Sequence, residues 1–278
     1  MEIWFVVAAL TSAALHATWN AAIKSSPDPR TAMTGQMVAS ALLGLPVLVW
    51  TGLPALPSWA WIGAATAINI VSITGLLRAY ALAGFGMVYP LVRALSVMCV
   101  VPLATILTGE TLTVYGIVGV AMISTALMLL AVANRGVGAL PPQAIGWIAL
   151  SGACTAMAVM CEAQGVRRSG DALAYGCTSA ITNAVAMLWW QKALSDPFGA
   201  VRRQAARVIP AATLAMISYL LILWVWANAK VASGAALRDT SALFAILIAV
   251  LWLKEPITPL RIAAIVIAAL AVPVLRFA

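Results

Sequence analysis

The chain has 278 residues, 64% of them hydrophobic and only 9% charged, with a mean hydropathy of +1.03. Its uncharged runs reach the roughly 20 residues that a helix needs to cross about 30 Å of hydrocarbon, so lipid is the solvent for most of it. A net charge of +8 would suggest a nucleic-acid partner in a soluble domain, but here the basic residues sit mostly between the apolar runs, as they do in membrane proteins, and no nucleic-acid partner is expected.

Ten transmembrane helices are predicted. The first five cover Glu2–Ile23, Thr31–Thr51, Trp59–Ala79, Met87–Thr108 and Thr113–Ala133. The second five cover Gln143–Val166, Ala172–Ala193, Arg207–Ala227, Val231–Leu253 and Pro259–Phe277. The longest connectors, Lys24–Arg30, Asn134–Pro142 and Ser195–Arg203, are rich in Pro, Gly, Ser and charge, which break helices outside lipid. Met1 to Ile23 lacks the basic start and small-residue cleavage site of a signal peptide and is long enough to be a span. Cys99, Cys154, Cys161 and Cys177 all lie in apolar helices without a CxxC pair, which points to packing rather than to a metal or disulfide.

Two stretches repeat. Val88–Glu110 and Ser233–Glu255 align without a gap at a constant shift of 145 positions, placing Arg93 on Arg238, Ser96 on Ser241, Glu110 on Glu255 and Thr113 on Thr258. Matched polar residues in so apolar a chain indicate an internal duplication, with units at 1–136 and 137–278. An odd number of spans per unit makes the second unit begin on the side where the first ended, so the repeats are inverted. The expected fold is therefore an all-α polytopic membrane protein of two inverted five-helix repeats around a central cavity. Secondary transporters recurrently follow that plan, with a site between the repeats near the bilayer midplane. Basic residues are more numerous in loops after odd-numbered helices, and charge counting places both termini outside the cytoplasm.

The pattern resembles the drug/metabolite transporter superfamily, specifically its EamA-like branch. Carrying the resemblance are Trp19-Asn20 followed by Lys24 at the end of the first helix, Tyr89-Pro90-Leu91 opening the fourth, and Gly109-Glu110 closing it. The link recurs at Lys254-Glu255-Pro256, where Lys254 replaces the usual glycine. The resemblance covers essentially the whole chain. It implies export of amino acids or other small metabolites across the bacterial inner membrane, and the chain looks most like the aromatic amino acid exporters of this branch.

Polar residues inside spans are the candidates for binding, because lipid penalises them. Ser12, His16 and Asn20 recur every fourth position on the first helix, with Trp19 beside them. His16, the only histidine, could bind substrate or titrate; the alternative is interhelical hydrogen bonding. On the fourth helix Tyr89, Arg93 and Ser96 share a face. Arg93 could fork onto a substrate carboxylate and Tyr89 could stack on an aromatic side chain, unless Arg93 snorkels to the headgroups. Asn69 and Ser72 on the third helix and Tyr219 on the eighth complete the expected substrate-binding set, with Pro90 and Pro102 as hinges. Arg238 with its neighbour Asp239 suggests a structural ion pair, and Asp239 or Glu162 could instead relay a proton. Trp4, Trp50, Trp59, Trp61, Trp147, Trp189, Trp190 and Trp252 fall toward span ends, as interfacial belts do.

The sequence has no GxxxxGK[ST], HExxH or GxSxG motif, so it offers no signal for nucleotide hydrolysis, metal or serine hydrolase chemistry, and no cofactor is implied. The expected partners are a small-molecule substrate and lipid, with a monomer or a dimer equally open. Export of cationic drugs or another metabolite, a membrane enzyme and a channel are the alternatives. Two arginines deep in the spans argue against a site for simple cations, though not for a zwitterion.

Overall fold

A computed structural model describes residues 1–83, 85–133, 140–193, 195–251 and 258–277. Among them every regular element is helical. In the first half these are α1 (Ile3–Lys24), α2 (Pro29–Thr51), α3 (Trp59–Ala83), α4 (Phe85–Thr108) and α5 (Val114–Ala133). The second half holds α6 (Pro142–Arg167), α7 (Ala172–Trp190), α8 (Gly199–Asn228), α9 (Val231–Asp239), α10 (Ser241–Leu251) and α11 (Pro259–Arg276). The expected unit boundary at 136/137, together with Trp252 and Lys254-Glu255-Pro256, lies outside the described residues.

Among the described residues eight helices, α1 to α6, α8 and α11, are long and apolar enough to cross a membrane. This is a multi-pass membrane protein. The outward surface agrees, for large apolar side chains such as Val49, Ile106 and Leu270 lie bare on it, where lipid rather than water must cover them. Trp4, Trp50, Trp189 and Trp190 are likewise exposed near helix ends. Trp61 and Trp147 instead lie under the guanidinium groups of Arg168 and Arg78, at 5.2 and 4.7 Å.

Two boundaries depart from the sequence expectation. α8 begins at Gly199 rather than Arg207, because Ala, Arg and Gln after the glycine are good helix formers, whatever the charge of the arginines. Its first turns are set off by a kink at Gln204 (φ −131°, ψ 29°), whose side-chain carbonyl accepts from the Ser26 hydroxyl at 2.7 Å. The expected ninth span is not one helix but two, α9 and α10, meeting at Thr240. The Thr240 hydroxyl donates back to Leu237 O at 2.6 Å, and its backbone N–H reaches the same carbonyl, tightening the last turn.

Helix ends are fixed by matching devices in the two halves. Asp28 caps α2 by accepting from the Thr31 N–H, and Asp171 caps α7 by accepting from the Leu173 and Ala174 N–H groups. Helix packing follows an exchange pattern too. α1 packs on α8 as α6 packs on α3; α2 packs on α8 as α7 packs on α3; α4 packs on α6 as α9 and α10 pack on α1. Each of the first two pairs is joined by a reciprocal serine clasp. The Ser12 and Ser218 hydroxyls each donate to the other's carbonyl at 2.7 Å between α1 and α8. Ser72 and Ser151 do the same at 3.1 and 3.0 Å between α3 and α6. Within lipid such bonds satisfy hydroxyls that have no water to turn to.

The Met1 ammonium donates to Arg276 O, bringing both chain ends to one membrane face. The same face holds the C-terminal ends of α4, α6 and α8 and the start of α9. On the opposite face lie the end of α1 and the kinked start of α8.

Candidate functional site

Arg93 is the centre of a buried cluster that joins the halves. From α4 its Nη1 donates to Asp239 Oδ1 at 3.1 Å, and its Nη2 lies 3.0 Å from His16 Nε2. A guanidinium can only donate, so this His16 nitrogen is the acceptor and the ring proton sits on Nδ1, which has no partner. Beneath Arg93 the Tyr89 ring lies 5.1 Å from the guanidinium carbon, a cation–π contact, and Tyr80 stands close to both. The break at Thr240 makes Asp239 the last residue of α9. His16 also meets Trp19 edge to face, with ring centroids 5.0 Å apart.

A second group gathers around Arg238 and Glu162. Arg238 is only partly buried and holds its guanidinium 5.6 Å above the Trp226 ring. Gly234, one turn earlier, makes that approach possible, since a Cβ there would stand 3.2 Å from the indole. Glu162 of α6 is 7% exposed and faces Arg238, Tyr219 and Asn69. The Tyr219 hydroxyl turns toward the carboxylate without reaching full hydrogen-bond geometry. Tyr175 adds a further buried ring beside Glu162.

The remaining predicted residues are scattered around these groups. Asn20 is half-buried and donates to His16 O on its own helix. Trp19 packs with Ile23, Ala211 and Ala215, linking α1 to α8. Ser96 is buried on α4. Ser72 belongs to the α3–α6 clasp, and its hydroxyl also lies 2.7 Å from that of Thr155. Helix α4 runs without interruption through Pro90 and Pro102, the residues expected as hinges. The ion pair of Asp239 likewise differs from expectation: it is made across the halves to Arg93 and not to the adjoining Arg238, because successive helical residues point in different directions. The four cysteines are free.

Sequence reasoning missed Arg167. It pairs with Glu110 Oε1 at 2.7 Å and donates to Trp226 O and Ala229 O at 2.9 and 2.8 Å, while the Val231 N–H donates to Glu110 Oε2 at 2.9 Å. One arginine and one glutamate thus tie together the ends of α4, α6 and α8 and the start of α9. The signal available was the isolated Gly109-Glu110, an acidic residue with no basic neighbour in its own loop.

On the opposite face a recess of about 770 Å³ opens between the end of α1 and the start of α8, lined by Ala22, Asp28, Arg203, Gln204, Arg207 and Leu214. Leu214 and Ala211 on its wall also pack against Trp19. From there a continuous line of contacts leads through Trp19 and His16 to Arg93. The recess is therefore offset from the centre, toward the face remote from Glu110 and Arg167.

Residues 142–277 match the EamA-like transporter family. The second half of the chain is thus similar to EamA-like transporters, and a membrane transporter of the drug/metabolite type is the activity that this match supports. The sequence matches no curated protein. A solved structure, described only as a crystal structure of a protein, superposes with a TM-score of 0.71 over 97% of this chain and 94% of its own at 14% identity. That likeness is one of fold.

Proposed function

We propose that the protein is a secondary transporter that exports neutral amino acids, aromatic ones in particular, across the bacterial inner membrane by alternating access. Its units are two inverted five-helix repeats, 1–136 and 137–278, with α9 and α10 together standing as the fourth span of the second. The paired packing of α1–α8 with α6–α3, and the serine clasp common to both pairs, support that division.

One observation carries the transport reading: two buried carboxylates and a buried histidine gather with two partly buried arginines at the seam between the halves, where a purely structural bundle would place apolar side chains. Rings of Tyr89, Tyr219, Trp19 and Trp226 surround them, suiting an aromatic substrate. The Glu110–Arg167 pair ties helix ends together on one face and the recess lies on the other, an asymmetry that supports alternating access.

Counterflow tests this. Proteoliposomes loaded with unlabelled phenylalanine should take up labelled phenylalanine saturably, and an organic cation should not exchange. Exchange of the cation alone would favour a drug exporter, and exchange of neither would remove amino acids as the substrate class.

A further inference from the structure

The two arginines are not equivalent, and the difference indicates where a ligand binds. Arg93 has both terminal nitrogens engaged, one by Asp239 and one by His16. A substrate carboxylate there would have to displace an aspartate already fixed in place. Arg238 is the opposite case. Its Nε is buried without a hydrogen-bond partner, and it attracts Glu162 and Asp239 without closing an ion pair to either. Next to it the Trp226 Nε1 is also buried and unpaired, while the Tyr219 hydroxyl turns toward the Glu162 carboxylate. Buried donors in native proteins find acceptors, so the unmet Arg238 and Trp226 donors call for an acceptor that the chain does not supply.

Charge defines that acceptor further. Arg93 and Asp239 neutralise each other, and so, at longer range, do Arg238 and Glu162. A ligand carrying a net charge would leave that charge uncompensated in a medium where it is costly, whereas a zwitterion adds none. We infer that Arg238 and Glu162 form the clamp for an α-amino acid zwitterion, its carboxylate on Arg238 with Tyr219 alongside, its ammonium on Glu162, and its side chain against Trp226 and Tyr175. Arg93 is then a strut of the fold. This deepens the proposed function and rests on it for the ligand class.

Binding and transport separate the two ideas. Thermal stabilisation of the detergent-purified protein is measured with phenylalanine, leucine, phenylethylamine and 3-phenylpropionate, and counterflow is measured in parallel. The wild type should be stabilised by the amino acids and not by the singly charged analogues. Arg238→Gln should weaken phenylalanine binding about ten- to a hundred-fold, the equivalent of one charged hydrogen bond, and narrow the gap to phenylethylamine. Glu162→Gln should narrow the gap to 3-phenylpropionate. Should Arg238→Gln fail to fold, Arg238→Lys and Glu162→Gln serve the same comparison. The clamp is overturned if neither amino acid stabilises the wild type, or if folded Arg238 and Glu162 variants keep the wild-type ranking of the four compounds. Binding without counterflow would instead overturn the transport reading and leave the clamp standing.

Discussion

Asp239→Asn isolates the role of the buried pair. Arg93 and Asp239 meet at 3.1 Å with side-chain exposures of 17% and 7%, so neither charge has ready access to water when its partner is lost. Removing one member of such a pair costs about 3–5 kcal/mol, most of it the penalty of the charge left behind, whereas replacing both by apolar side chains is often neutral or better. The asparagine variant keeps an amide oxygen that can still accept but removes the negative charge that faces the guanidinium. At about 2–4 °C per kcal/mol for a chain of this size, its melting temperature in detergent should fall roughly 6–20 °C. Arg93→Met should fall comparably, and the double variant Arg93→Met with Asp239→Leu should recover most of the loss. It should also still bind phenylalanine, since the clamp lies on Arg238. Melting curves followed by monodispersity on a sizing column, for the two single variants and the double, supply the cycle. Single variants within about 2 °C of wild type would refute the energetic reasoning. A double variant no better than the worse single would show that the two residues do not act as a pair.

Gly165→Ala should be costly for its size. The new Cβ would stand 2.5 Å from the ring of Tyr175, which is fully buried and cannot swing away, so a loss of about 1–3 kcal/mol is expected in a melting assay. Ser12→Ala should cost about 0.6 kcal/mol and at most about 1.7, with transport retained, because its hydroxyl bonds only to Ser218. Glu110→Gln should speed amide exchange at Val231, whose N–H donates to that carboxylate, and Arg167→Ala should lower the melting temperature more, since it also strips Trp226 O and Ala229 O. Asp28 lies outside the spans, and its bonds from Thr31 hold its carboxyl below the usual range. A depressed value means the cap is complete at neutral pH and is lost as pH falls through it, so protection of the Thr31 amide relative to Asp28→Asn should vanish only in acid.

Much of the fold was legible because span length and apolarity are set by the bilayer: eight long helices stand close to where hydropathy put them. Two places were not. The start of α8 was hidden by its arginines, which signal a loop by charge but are good helix formers. The break at Thr240 was hidden because Leu-Arg-Asp-Thr contains no Gly or Pro; it arises from a hydroxyl competing for a backbone carbonyl, visible only in three dimensions. For the site, periodicity set His16 on one face of the first helix and Arg93 on a face with Tyr89 and Ser96. It could not say that Asp239 would choose an arginine 146 positions away over the one adjoining it. Nor could it show that Ser72 would close on Ser151, because a serine at helical spacing reads the same whether it faces a cavity or another helix. Arg167 escaped notice as one of several basic residues at a helix end, its value lying in two carbonyls that no sequence pattern marks.

The serine clasps bear on how such a bundle can move. Each exchanges two bonds between the same two residues, so sliding one helix past the other by even a single turn, about 5.4 Å, would break both at once with no water to replace them. α1 is therefore in fixed register with α8, and α3 with α6. Both couples take one helix from each half of the chain. Whatever passage opens must separate couple from couple, and the boundary between moving parts runs through each half of the sequence rather than along the seam that joins them.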